Sequence, residues 1–316
     1  MRERSDFPGR ALWAGLLLAV FAAPALAAED SGEAPSYTRK GADKCIECHD
    51  EESDYPVLSI FKTPHGMKGD ERTPFAGKQC EACHGPGREH AKRLRFGEER
   101  PEIPRFGDAS PASTERESKV CRGCHEDTGR MHWSGSAHQR RGVGCADCHR
   151  IHAVHDPVTE RSRQARVCGE CHGRQRAATL QASSHPLREG KMACSGCHEP
   201  HGSLTKAMLI RPTLNETCYT CHAEVRGPFL WEHAPVPEDC SHCHRSHGSN
   251  HPALLTKRPP LLCQQCHSRA GHPSIGRTGD DLPSGGASGF LLGRSCTNCH
   301  SQVHGSNHPS GANLGR

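Results

Sequence analysis

The chain has 316 residues and a formal charge of +4, and only 34% of its residues are hydrophobic and 4% aromatic. Because a folded chain of this length normally buries most of its surface around apolar side chains, this composition excludes an ordinary globular domain held by side-chain burial alone. A large apolar group other than side chains is therefore expected to supply the core, since so polar a chain would otherwise stay unfolded.

Residues 1–27 are predicted to be a secretory signal peptide. Three arginines among the first ten residues precede an apolar run from Ala11 to about Ala25, and Ala25-Leu26-Ala27 has the small-x-small pattern of a cleavage site. The alternative is a membrane anchor, but the run is shorter than the roughly 20 residues that a spanning helix needs. We therefore expect an exported protein without a transmembrane helix of its own.

All 20 cysteines fall in ten Cys-x-x-Cys-His motifs. The motif cysteines are Cys45 and Cys48, Cys80 and Cys83, Cys121 and Cys124, Cys145 and Cys148, Cys168 and Cys171, Cys194 and Cys197, Cys218 and Cys221, Cys240 and Cys243, Cys263 and Cys266, and Cys296 and Cys299. The histidines that close the motifs are His49, His84, His125, His149, His172, His198, His222, His244, His267 and His300. This spacing is the attachment signature of haem c, because two thiols one helical turn apart can add to the two vinyl groups of one porphyrin. The adjacent histidine then becomes the proximal ligand of the iron.

Ten motifs with no cysteine left over predict ten covalently attached haems c. Zinc ribbons also use paired cysteines, but they do not require a histidine directly after every pair. Disulfides are usual in secreted chains, but they do not demand a fixed spacing with a trailing histidine. The haems would also be the apolar group that the composition lacks.

The remaining histidines match the number of distal ligands that ten haems need. Only four methionines follow the signal peptide, so two-histidine ligation and low reduction potentials are predicted. The motifs form five pairs along the sequence, with a spare histidine inside each pair and another after it. These ten candidate distal ligands are His65, His90, His138, His152, His185, His201, His233, His247, His272 and His304. His155, His251 and His308 are local competitors, His132 and His242 are surplus, and which histidine serves which haem stays open.

The expected fold is that of a multihaem c-type cytochrome, with short α-helices and irregular chain wrapped around a haem array and almost no β-sheet. Charged, proline-containing residues 86–119 and glycine- and serine-rich residues 273–295 are predicted to be surface loops. The 289 residues after the signal peptide leave about 29 for each haem, so neighbouring porphyrins must nearly touch. Electrons tunnel readily between such haems, which predicts an electron-transfer protein without catalytic residues.

Two other functions remain open. A multihaem reductase would need an iron with an open coordination site, but all ten motifs end in histidine and none has the Cys-x-x-Cys-Lys form of nitrite reductases. A soluble periplasmic electron shuttle would use the same haems without a membrane partner. Two propionates on each haem would make the loaded protein acidic, so nucleic acid is not an expected partner.

In motif number, length and signal peptide, the chain resembles the MtrA/DmsE family of periplasmic decahaem c-type cytochromes. The Pro-His-Gly run at residues 64–66 and the Cys-x-x-Cys-His-x-x-His-Gly runs at residues 194–202 and 240–248 support that resemblance. It implies one elongated decahaem domain with two pentahaem halves, residues 28–178 with haems 1–5 and residues 179–316 with haems 6–10. The motif spacings do not repeat between these halves and instead indicate five two-haem modules.

The resemblance also implies partners and a location. Members of the family insert into an outer-membrane β-barrel porin and relay electrons between the periplasm and the cell exterior. We therefore expect a porin and periplasmic or inner-membrane donor or acceptor cytochromes as partners, with an extracellular cytochrome or reductase as a further candidate. The expected location is the periplasm, in association with the outer membrane. The motifs do not distinguish extracellular electron transfer, which sends electrons out, from iron oxidation, which brings them in.

Overall fold

The computed structural model describes residues 36–107, 111–127, 129–267 and 296–315. The predicted signal peptide, the predicted loop at 273–295 and the candidate ligand His272 lie outside the described residues. Ser36–Arg316 forms one compact unit, so all ten motifs belong to the same unit.

The helices are short, and most of them carry a Cys-x-x-Cys-His motif or part of one. They are α1 Ala42–Cys45, α2 Glu81–His84, α3 Pro111–His125, α4 Cys145–Cys148, α5 Arg161–Cys171, α6 Gly173–Thr179, α7 Leu214–Tyr219 and α8 Pro235–Glu238. Turns of 3₁₀ helix occur at Val57–Lys62, Pro64–Gly66, Pro74–Ala76, Gln139–Arg141, Cys194–Gly196, Lys206–Met208, Ala223–Val225, Cys240–His242, Pro252–Leu254, Cys263–Gln265 and Cys296–Asn298. The 33 glycines and 23 prolines keep most of these elements to one or two turns.

Extended segments pair only at isolated bridges within the described ranges. The four antiparallel bridges join Ser183 to Ser249, His198 to Leu209, Trp231 to Ser306, and His244 to Leu255. The prediction of short helices and irregular chain with almost no sheet is therefore confirmed. None of the described helices is long and apolar enough to span a lipid bilayer.

The prediction of a surface loop over residues 86–119 is wrong for its last part, because α3 begins at Pro111. Proline suits the first position of a helix, and the alanine, glutamate and arginine that follow favour helix formation. The face of α3 that is buried is polar, with Thr114, Glu117 and Ser118 at most 8% exposed. The helix runs on to His125 and so carries the third motif.

Apolar side chains are buried in one small part of the described chain. Ala42, Ile60 and Phe75 form a cluster against Cys80, and the ring of Phe61 meets Phe75 edge-on at 5.3 Å. Trp133 is the other large apolar side chain that is buried in the described residues. So little apolar burial leaves the motifs lining open space rather than a side-chain core.

Candidate haem-binding sites

Each Cys-x-x-Cys-His motif is folded as a single helical turn. In nine motifs the backbone N–H of the histidine donates to the carbonyl of the first cysteine at 2.9–3.0 Å, and the remaining motif, closed by His125, ends α3. Side chains three and four residues apart share one face of such a turn, so both thiols and the imidazole project together. All 20 cysteines are free, with no disulfide among them.

Nine motif histidines face one of the candidate distal histidines across a gap. The pairs, with the distances between ring centroids, are His49–His90 (6.3 Å), His84–His152 (6.3 Å), His125–His65 (5.9 Å), His149–His201 (6.1 Å), His172–His138 (6.1 Å), His198–His247 (6.0 Å), His222–His185 (6.3 Å), His244–His304 (6.1 Å) and His267–His233 (6.0 Å). Two imidazole–metal bonds of about 2.0–2.1 Å, with about 1 Å more from each nitrogen to its ring centre, require roughly this separation. The spacing fits one iron ion between the two rings of every pair.

The pairing follows a rule that connects neighbouring modules. A histidine inside one motif pair faces the first motif of the next pair, as His138 faces His172. A histidine that follows one motif pair faces the second motif of the pair before that one. His201, for example, follows the third pair and faces His149 of the second pair. The modules therefore interlock, because the second, third and fourth modules each receive both of their distal histidines from neighbouring modules. At the start of the chain, His90 faces His49 within the first module.

The competitor histidines have other surroundings. His155 lies 3.6 Å from the Glu160 carboxylate, and Nδ1 of His308 is 2.8 Å from the hydroxyl oxygen of Ser310. The candidate His272 lies outside the described residues.

Eight of the eighteen rings in the facing pairs are held by a hydrogen bond from Nδ1 to a backbone carbonyl. At 2.5–3.0 Å these bonds join His84 to Pro104, His90 to Pro101, His138 to Pro200, His152 to Val57, His185 to Ser246, His198 to Ala207, His233 to Val303 and His244 to Ala253, and the same bond joins His300 to Asn313. A carbonyl can only accept, so Nδ1 carries the hydrogen and Nε2 is left for a metal ion.

Burial favours the neutral form of the distal histidines. It lowers the pKa of His65, His152, His201, His247 and His304. The facing motif histidine lowers the pKa further in each case. Metal ions bind neutral imidazole, so the surroundings prepare these side chains for ligation.

Glycines after several distal histidines allow a close approach of two chain segments. A Cβ atom on Gly248 would lie 1.9 Å from the Ala178 carbonyl oxygen, and one on Gly202 would lie 2.2 Å from that of His132. Only glycine fits such contacts without moving the backbone. Beside Gly248, the N–H groups of Ser183 and Ser249 each donate to the other residue's carbonyl at 2.8 Å, which fixes the segments that carry His185 and His247.

The cysteines lie next to one another in the order of the sequence. Within each motif pair, the first cysteine of one motif lies next to the first cysteine of the other. Hydrogen bonding between these two thiols raises the pKa of Cys45, Cys121 and Cys168. Burial and then the partner thiol raise the pKa of Cys218 and Cys263 to about 11. Between pairs, burial raises the pKa of Cys83, Cys148, Cys197 and Cys243, and a thiol of the next motif (Cys124, Cys171, Cys221 or Cys266) raises it further. Each motif is therefore adjacent to the motifs before and after it.

One continuous cavity of about 4870 Å³ runs along the motifs. It is lined by all 20 motif cysteines and by all nine facing histidine pairs. Divided over ten motifs, the volume is about 490 Å³ for each, within the roughly 300–1,000 Å³ of a typical small-molecule pocket. At nine motifs, paired imidazoles, adjacent thiols and an open volume fit a covalently bound haem.

Some residues that shape these sites carry no signal in the sequence. Asp156 accepts the Nδ1–H of His149 at 2.6 Å, although nothing in its sequence neighbourhood distinguishes it from a surface aspartate. Asn215, in α7, donates to the carbonyls of Val236 and Pro237 and accepts the N–H of Cys240, so it ties the seventh motif to the eighth. A repeated hexapeptide, His-Gly-Ser-Asn-His-Pro at residues 247–252 and 304–309, could have indicated the equivalence of His247 and His304.

Comparison with known proteins agrees with this geometry. A family model described as a doubled CXXCH motif matches residues 185–227 and 233–272, and a model of NrfB-like cytochrome c-type proteins matches residues 80–171. The first of these ranges includes both His185 and His222, which face each other. The chain is 50% identical to the multiheme cytochrome MtrA of Shewanella baltica (strain OS185) over 285 residues, which cover 89% of this chain and 83% of that protein. With ten haem-attachment motifs and this identity over most of both sequences, the chain belongs to the MtrA family of multihaem c-type cytochromes.

Proposed function

We propose that the chain binds ten haems c, each between one motif histidine and one distal histidine, and relays electrons along them. Binding of haem c and electron transfer follow from the family; the number of haems and their ligands are the proposal. The observation that carries it is the set of nine facing histidine pairs, with ring centroids 5.9–6.3 Å apart. For the tenth haem, the last motif supplies His300 as the proximal ligand, and His272 stays the distal candidate from the sequence.

Cysteine and histidine side chains have different roles in holding each cofactor. The two cysteines of a motif would attach the porphyrin through thioether bonds, and the two imidazoles would occupy both axial positions of the iron. When bound, each haem supplies an iron that accepts and releases one electron. With both axial positions filled by histidine, no open site is left for a substrate, which favours electron transfer over a reductase.

The order of the haems along the proposed relay is that of the motifs. The thiol contacts between successive motifs, from Cys45–Cys80 to Cys263–Cys296, support it. So does the interlocked pairing, in which neighbouring modules exchange distal histidines. An electron would pass through every haem in turn, since no motif is set apart from the series.

The proposed setting is the periplasm at the outer membrane, inside a porin. Its support is the family resemblance, together with the predicted signal peptide at residues 1–27. A porin would sheathe the cytochrome, because irregular backbone and polar side chains are not tolerated in contact with lipid. Periplasmic or inner-membrane cytochromes would exchange electrons at one end, and an extracellular cytochrome or reductase at the other.

The ligands can be tested on the purified protein. We expect ten haems per chain, all low-spin and six-coordinate in the ferric state, measured by haem quantification and by electron paramagnetic resonance (EPR). His201→Ala should leave all ten attached and convert one to a high-spin or water-bound form. A stoichiometric high-spin signal in the unmodified protein would instead favour a reductase.

The conduit can be tested in vesicles that contain the cytochrome, its cognate porin, an internal redox dye and an external, impermeant reductant. Dye reduction should require both proteins. It should slow greatly when Cys168 and Cys171 are replaced by alanine, because the missing haem leaves a gap that tunnelling crosses poorly. If the cytochrome neither binds a porin nor supports transfer with one, the periplasmic shuttle becomes the better assignment.

A further inference from the structure

The fourth motif differs from its counterparts in what holds its histidine. In the second motif of each pair, Nδ1 of the proximal histidine donates to a backbone carbonyl in four cases: His84 to Pro104, His198 to Ala207, His244 to Ala253 and His300 to Asn313. In the fourth motif, His149 donates instead to Oδ2 of Asp156 at 2.6 Å. A neutral acceptor is thus replaced by a carboxylate.

The Asp156 carboxylate is fixed in position and shielded from solvent. Its Oδ1 accepts the backbone N–H groups of Arg150 and Val158 at 3.2 and 3.4 Å. The loop is tied to α5, because Nε2 of Gln164 donates to the Val158 carbonyl at 2.9 Å. The Asp156 side chain is 18% exposed, so its charge is only weakly screened by water.

Carboxylates elsewhere in the described chain act less directly on a ring of the facing pairs. Glu224 lies 3.2 Å from Nδ1 of His222, but its side chain is 68% exposed. Glu199 lies 3.3 Å from Nδ1 of His201, the ring that faces His149, and there the positive charge of Arg130 opposes it. Asp156 therefore exerts the strongest local effect of these three.

We propose that Asp156 is a positioning residue that lowers the reduction potential of the haem at the fourth motif below those at the sixth and eighth motifs. This rests on the proposed ligation of that haem by His149 and His201. A carboxylate that accepts the Nδ1–H gives the imidazole more anionic character and makes it a stronger donor to the iron. The stronger donor stabilises the ferric state, and second-shell hydrogen bonding is a known control on haem potential.

When bound, a haem held by His149 and His201 would supply a ferric iron that accepts one electron from a ferrous neighbour, which would become ferric. No bond would form or break, and the proton would stay on Nδ1 of His149. The neighbours are the haems of the third and fifth motifs, given the thiol contacts Cys121–Cys145 and Cys148–Cys171. The haem at the fourth motif would thus fill with electrons after those at the sixth and eighth motifs.

The test is Asp156→Asn in the full holoprotein, followed by optical redox titration and EPR. Asparagine can still accept the hydrogen bond, so the geometry is kept while the charge is removed. We expect one haem's share of the absorbance change to move to higher potential. Asp156→Glu keeps the charge, so it should leave that haem close to its original potential.

Asp147→Asn is the matched control. Asp147 lies in the same motif and accepts the Gly144 N–H, and asparagine serves that cap equally well. It removes the same charge beside the same haem without touching an imidazole, so it should move the titration much less. Equal shifts for the two variants would overturn the proposal and leave only a general effect of charge.

The assignment to the fourth haem needs a second background. In a protein that carries Cys145→Ala and Cys148→Ala, Asp156→Asn should produce no further shift, and a persisting shift would overturn the assignment.

The outcomes also separate the proposed ligation of the haems from the proposed role of Asp156. Fewer than ten haems, or a high-spin signal in the unmodified protein, would count against the ligation scheme. Ten low-spin haems with no response to Asp156→Asn would count against the role of Asp156 alone.

Discussion

Up to Trp133 the described chain buries apolar and charged side chains, whereas beyond it every buried residue in the described ranges is glycine, serine, asparagine or threonine. The first region has the Ala42, Ile60 and Phe75 cluster, and beside it Glu81, 5% exposed, accepts the N–H groups of Thr38 and Gly87. The second region has no such cluster. Its interior is the cavity that the motifs line, so the cofactors themselves must form the core there.

The second region is also the more regular one. After the sixth and eighth motifs the chain makes the same loop, in which the N–H groups of Glu199 and Arg245 donate to the carbonyls of Met208 and Leu254, both at 2.7 Å. Ala207 and Ala253, next to these acceptors, have left-handed φ angles of 56° and 53°. A repeated backbone with little buried side-chain surface is typical of a unit that packs on its neighbours and on a repeated cofactor. The difference teaches that part of this protein has a core of its own and part depends on haem.

Removal of a haem should separate the two regions most clearly. Cys240→Ala with Cys243→Ala should abolish one haem and, with it, most of the amide-exchange protection around the eighth motif, because no apolar side chain is buried in that part of the described chain. Cys45→Ala with Cys48→Ala should also abolish one haem but retain protection near Ile60 and Phe75. Haem quantification and hydrogen exchange read by mass spectrometry measure both effects. Equal loss of protection in the two variants would mean that the apolar cluster contributes no independent stability.

A smaller effect should follow from closing one of the tight contacts in the second region. Gly248→Ala forces a Cβ to within 1.9 Å of the Ala178 carbonyl oxygen, and we expect it to lower the free energy of unfolding by about 2–3 kcal/mol. In Gly196→Ala the new Cβ meets nothing within 4 Å, so a change of at most about 0.5 kcal/mol is expected. Chemical denaturation of the ferric holoproteins measures the difference. Comparable losses would show that the bridge between Ser183 and Ser249 does not depend on this glycine.

Local features were predictable from the sequence because they depend on neighbouring residues. The motif spacing requires a turn that brings Cys240, Cys243 and His244 together, and the described chain forms that turn at each motif. The low apolar content predicted a core of another kind, and in the described part of the second region no apolar side chain is buried and a cavity runs along the motifs. The distal candidates were recognisable as a set because their number and positions match the motifs.

Long-range features were not predictable. His152 faces His84 from 68 positions further along the chain, and that pairing depends on how neighbouring modules interlock rather than on local spacing. Asp156 and Asn215 act through contacts that only the folded chain creates. The helix that begins at Pro111 was not predicted, because charged residues like those of its first turns are typical of loops and of exposed helices alike. The division into pentahaem halves at residues 178 and 179 stays a prediction.

The relative orientation of the facing imidazoles gives the finest distinction between the regions. Of the three pairs whose motif precedes Trp133, two have rings that cross at 65–72°, His84–His152 and His125–His65. Of the six pairs whose motif follows Trp133, four have interplanar angles of only 12–25°: His149–His201, His198–His247, His244–His304 and His267–His233. Axial ligand planes set how the iron d orbitals split, since parallel planes separate two of these orbitals in energy and crossed planes leave them nearly equal.

Crossed planes should therefore give low-spin ferric EPR signals of larger anisotropy than parallel planes, with no change in spin state or stability. We expect the holoprotein to show both classes of signal. Loss of the third haem through Cys121→Ala and Cys124→Ala should weaken the more anisotropic class. Loss of the sixth through Cys194→Ala and Cys197→Ala should weaken the other class. If both variants deplete the same signal, the ring orientations of the two regions do not survive haem binding, and the contrast between the regions would rest on the nature of their cores alone.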